Sequence, residues 1–126
     1  MTQEERVRHW VDTAAHNWEA TQTLVATSRR PALVLAHWTL EKLSKALWVQ
    51  QHANAMPPTT DDVTVLLAAT SFSLNTAQTT FAQQLKAYHD DELEPDPAHP
   101  LPIPDLQRLH TQVDAMRQQL LKAIGN

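Results

Sequence analysis

Apolar residues recur along the chain at steps of three and four, the spacing that aligns them on one face of an α-helix. In the first segment the stripe is Val7, Trp10 with Val11, Ala14, Trp18, Thr21 and Val25. In the second, Leu33, Ala36, Leu40, Leu43 and Leu47 form one seam, and Val34, Trp38, Lys45 and Trp48 fall on neighbouring faces. A helix with two apolar faces belongs at the centre of a bundle or is shared with a partner. A short helix is expected from Val63 to Ala69. The weaker stripe Phe72, Ala77, Phe81, Leu85 and Tyr88 predicts a fourth long helix, its start blurred by threonines and Asn75. The cleanest pattern is the last, with Leu106, Leu109, Val113, Met116, Leu120 and Ile124 on one stripe.

Proline marks the breaks between these stripes. It removes a backbone donor and clashes with the preceding helical turn, so it stands at boundaries. The eight prolines fall at 31, 57, 58, 95, 97, 100, 102 and 104. Pro31 suits the first turn of the second helix, with Ser28 as its cap, and the run 54–58 ends that helix. Thr59 and Thr60, followed by Asp61 and Asp62, read as hydroxyl caps with carboxylates at the positive end of the next helix. The segment 89–104 is rich in proline and acid and has no periodicity, so it is expected to be a loop, of the mobile or functional kind rather than part of the core. Asp105 is placed to cap the last helix and Gly125 to close it. The expected fold is all-α: one domain over 1–126, an up-and-down four-helix bundle with an additional short helix.

Composition then removes whole classes of function. Gly125 is the only glycine among 126 residues. Hairpin turns and phosphate-cradling loops normally need glycine at positive φ, which argues against a multi-strand β-fold; a dinucleotide fingerprint and a P-loop are excluded outright. There is no cysteine, hence no disulfide, no thiolate nucleophile and no cysteine-type zinc site. A net charge of −4 argues against a broad nucleic-acid-binding face. No run of about 18 apolar residues exists, and residues 1–6 lack the apolar core of a signal peptide. A cytoplasmic protein is expected.

One segment resembles a known family. Residues 37–48, His-Trp-Thr-Leu-Glu-Lys-Leu-Ser-Lys-Ala-Leu-Trp, are similar to the Glu-Lys-x-x-Lys-Ala helix of HEPN domains (higher eukaryotes and prokaryotes nucleotide-binding). The continuation Pro57-Pro58-Thr59-Thr60-Asp61-Asp62, leading to Leu66-Leu67, resembles the family's loop and short leucine-rich helix. The likeness covers about residues 5–88 and is densest over 37–67. Asp61 stands where the family often has histidine, and Tyr88-His89 keeps only the tyrosine of its tyrosine-proline element. The resemblance implies a HEPN-like bundle that forms a homodimer and serves as the non-catalytic partner of a minimal nucleotidyltransferase, in a toxin–antitoxin or nucleotide-related pair.

Two alternatives come from other classes. HEPN ribonucleases resemble one another in an arginine–histidine motif that handles the RNA backbone; Arg30-x6-His37 is the one match here. A positioned imidazole can move a proton and a guanidinium can stabilise phosphate charge, which would make the chain a metal-independent endoribonuclease. The expectation is nevertheless a protein that is not an enzyme. In the third reading, a nucleotide-binding module, Lys42 and Lys45 meet phosphate while the tryptophans flank the base; Glu41, with Lys42 and Lys45 near it, would line a polar groove or dimer seam. The plain reading of Glu41 and Lys45, four apart in the favoured order, is a helix-surface ion pair. No Glu-x-x-His or H-E-x-x-H pattern occurs, and His37 with Glu41 would give only two ligands on one helix. No metal and no cofactor are expected.

Overall fold

The computed structural model describes residues 2–24, 29–53, 55–89 and 106–125, without the side chains of 29, 30, 88 and 106–109. Five helices follow one another: α1 Gln3–Leu24, α2 Arg29–Gln51, α3 Val63–Ala68, α4 Thr76–His89 and α5 Leu106–Ile124. No strand occurs among the described residues. The expected caps Ser28 and Asp105 lie outside them, as does the proposed loop apart from His89.

Helix α2 is the spine, in contact with α1, α3, α4 and α5. Its seam Leu33, Ala36, Leu40, Leu43 and Leu47 is wholly buried, and Ala32, Ala46 and Val49 are buried beside it. Burying one such leucine contributes about 1.5–3 kcal/mol. The core is completed by Ala14 and Trp18 from α1, Leu67 from α3, Phe81 and Leu85 from α4, and Val113, Met116 and Leu120 from α5. The seam face of α2 is therefore covered from within the chain, whereas on the neighbouring face Trp48 is buried and Trp38 stays exposed. The hydroxyls of Thr39 and Ser44 are also buried, and each donates back to the carbonyl four residues earlier, Leu35 and Leu40. That local bond lets a small polar residue sit in a packed interface without a partner across it.

The helix ends differ from the sequence expectations in instructive ways. Helix α2 stops at Gln51 rather than running on to residue 54. Gln3 from α1 donates to the carbonyls of Val49 and Gln50 there, satisfying acceptors that a helix end leaves open. The cap of α3 is Asp62, not a threonine hydroxyl: its Oδ1 accepts from the Thr64 backbone N–H at 2.9 Å. Asn75, which blurred the start of α4, is its cap. Its Oδ1 accepts from the Gln78 N–H, and Gln78 Oε1 accepts from the Asn75 N–H, a reciprocal capping box. His89 is the last residue of α4, not the first of a loop. Gly125, at φ +97°, closes α5 with its N–H on the Lys122 carbonyl, as expected.

Candidate functional site

Two polar clusters meet on α2. The first centres on Glu41, which is buried at 4% exposure. Its Oε2 accepts from Lys42 Nζ at 3.0 Å and from Lys45 Nζ at 3.1 Å. The Trp10 ring of α1 covers both ammoniums, with its centroid 5.4 Å from Lys42 and 5.3 Å from Lys45, within cation–π range. Burial alone would raise the Glu41 pKa; the bonds and charges of Lys42 and Lys45 outweigh it and hold the carboxyl below its ordinary value. The residues expected to line a polar groove thus form an internal ion triad with an aromatic lid. The Glu41–Lys45 pair is the helix-spaced ion pair of the plain reading, but in a half-dry setting.

The second cluster draws on three elements. His37, 1% exposed, comes from α2. Asp61 comes from the turn before α3, and His89 from the end of α4. Because Asp62 caps α3, its neighbour Asp61 is left to face α4. Asp61 Oδ2 lies 3.5 Å from His89 Nδ1, and Oδ1 lies 3.7 Å from Lys86 Nζ. The two imidazoles lie side by side, with centroids 4.6 Å apart and planes tilted by 33°. Trp38 Nε1 donates to His89 Nε2 at 2.8 Å. An indole N–H only donates, so in the neutral imidazole Nε2 is the acceptor and the ring proton sits on Nδ1, toward Asp61. One donor atom from each of His37, Asp61 and His89 lies within 4.8 Å of the others. His37 Nε2 also sits 3.7 Å from Glu41 Oε1, so the two clusters touch.

Arg30 and His37 share α2, seven residues and about 10 Å apart along its axis. The Arg30 side chain lies outside the described residues, and His37 is enclosed in the packed interior. The sequence reading placed His37 in a site but missed Asp61 and His89. They are 24 and 52 residues beyond it, and no local spacing links them; Asp61 reads only as one of two carboxylates at the start of a short helix. Of the four tryptophans, Trp18 and Trp48 are buried, and Trp10 packs against the core. Trp38 is exposed and serves the second cluster instead.

A cavity of about 640 Å³, lined by none of the residues of either cluster, opens to solvent between the start of α1 and the ends of α2 and α5. It gathers Glu4, Arg8 and Asp12 around Val7 and Val11, charges of both signs with no convergent set. No helix among the described residues is long and apolar enough to cross a membrane. No protein-family model, no curated protein and no solved structure matches this chain.

Proposed function

We propose that this chain is a HEPN-like four-helix bundle with one additional short helix, acting as a non-catalytic, homodimeric binding partner of a minimal nucleotidyltransferase. The observation that carries the non-catalytic half is the burial of His37, at 1% exposure. An imidazole that must reach an RNA backbone needs an open approach, and this one is walled in by α2, α4 and the turn before α3. The nucleotide-binding alternative loses ground for a related reason: Lys42 and Lys45 already share the Glu41 carboxylate. The partner and the dimer rest on the resemblance of residues 37–67. The second face of α2 keeps Trp38 exposed, a surface that a second copy could cover.

The test has two arms. Purified protein is incubated with single-stranded and structured RNA at neutral pH in EDTA, alongside Arg30→Ala and His37→Gln. No cleavage above the variants' background is expected; cleavage that both substitutions abolish would establish the endoribonuclease instead. Sedimentation at micromolar concentration, alone and with a minimal nucleotidyltransferase where the gene beside this one encodes it, reads the assembly. A particle of twice the chain mass that shifts again with the enzyme is expected, and a monomer that ignores it would end this reading.

A further inference from the structure

We propose that His37, Asp61 and His89 form a binding site for a divalent transition-metal ion of the zinc type. The inference stands on their geometry alone and does not depend on the proposed function. Two imidazoles and a carboxylate suit zinc and its neighbours better than magnesium or calcium, which favour oxygen. Three protein ligands leave a fourth position for water or another ligand.

Ligands of one tetrahedral ion with bonds of about 2.0–2.1 Å sit roughly 3.3 Å apart. Asp61 Oδ2 and His89 Nδ1, at 3.5 Å, are already at that spacing. The widest separation in the set, within 4.8 Å, closes by side-chain rotation. His37 is the fixed ligand, held by burial. Asp61 and His89 are the adjustable ones, with side chains 37% and 20% exposed. Each ligand comes from a different element, so the ion ties α2, the turn before α3 and α4 together.

Two groups oppose the ion, and they make the proposal specific. Lys86 Nζ lies 3.7 Å from Asp61 Oδ1; its side chain is 30% exposed, and a long ammonium stem can turn to water. Trp38 is the sharper competitor. Its N–H holds His89 Nε2 as an acceptor, which puts the ring proton on Nδ1. A metal on Nδ1 moves that proton to Nε2, where it meets the indole N–H donor to donor; a metal on Nε2 displaces the indole outright. Either way the Trp38–His89 bond breaks when the ion binds. Trp38 is thus a gatekeeper, and its exposed indole can bond water once released.

The experiment is calorimetric titration of the full chain, freed of chelator, with Zn2+ at pH 7.5. One saturable ion per chain is expected, weakened at least about tenfold by His89→Ala and by Asp61→Asn. Trp38→Phe keeps an aromatic ring and deletes the competing donor, so it tightens binding by roughly two- to tenfold, the worth of one net hydrogen bond. His52→Ala, remote in the fold, leaves binding unchanged. Zn2+ also raises the melting temperature of the wild type more than that of His89→Ala. Absence of a one-to-one site, equal affinity in the Asp61 and His89 variants, or weaker binding in Trp38→Phe would each overturn the proposal. His37→Ala is avoided because it would open a cavity in the packed interior.

Discussion

The Glu41 and His37 clusters lie one turn apart on the same helix and are built in opposite ways. Glu41 takes its ammonium partners from positions one and four residues later on α2, and α1 adds only the Trp10 lid. Its charges are settled as soon as the helix forms and α1 docks. The His37 cluster has one member on α2 and waits for the turn before α3 and the end of α4. The first is closed and stabilising. The second is adjustable, with two half-exposed members and an indole donor that can be replaced. A cluster satisfied within one helix has little left to offer a ligand, whereas one assembled across elements keeps donors that an ion can recruit.

The largest effect should come from breaking the closed cluster. Glu41→Ala leaves two ammoniums and an imidazole around a vacated carboxylate, and is expected to cost about 2–3 kcal/mol in urea unfolding, the range for removing a charged hydrogen-bond partner. Little change would mean that the lysines turn to solvent without loss. The same carboxyl should leave a mark on acid stability. Its folded pKa lies below the ordinary glutamate value, so the unfolded chain takes up the proton first as pH falls. The stabilisation is present in full above that value and is lost as pH drops through the folded one. In EDTA, the stability advantage of wild type over Glu41→Gln should therefore be constant from pH 7 to about 5 and shrink below it. A gap that widens with acid would reverse the sign and disprove the assignment.

A smaller contrast separates two adjacent carboxylates. Asp62 caps α3 through Thr64, and Asp62→Ala should cost about 1 kcal/mol. Asp61 makes only long, partly exposed ion pairs, and Asp61→Ala in the metal-free protein should cost at most a few tenths to about 1 kcal/mol. If Asp61 proved the costlier of the two, the open cluster would be structural rather than available. Smallest of all is Trp38→Phe without metal. It deletes one exposed hydrogen bond and should change stability by under about 1 kcal/mol, measured by thermal unfolding.

Within the candidate site, legibility followed sequence distance. Glu41, Lys42 and Lys45 were visible as a charged group on an apolar helix because helical spacing alone makes them neighbours. What the spacing cannot give is their depth: Glu41 is buried, and Trp10 from another helix covers the two half-buried lysines paired with it. Asp61 was legible only as part of a cap signal shared with Asp62, and which carboxylate did the capping depended on the start of α3 at Val63. His89 sat at the edge of a proline-rich stretch and was assigned to the loop, although α4 continues through it. Asn75 was discounted as a weak helix former, yet with Gln78 it completes a capping box.

The sequence by itself determined the helices. Three-and-four apolar spacing, proline breaks and a lone terminal glycine act through local backbone geometry and through the need to bury one stripe, and both are written in neighbouring residues. The packing of helices settles instead that the seam of α2 is covered by the chain's other helices while Trp38 beside it stays exposed, and that His37, Asp61 and His89 come together. Those outcomes depend on how helices cross and which side chains then meet, and contacts between residues tens of positions apart leave no periodic trace in the chain.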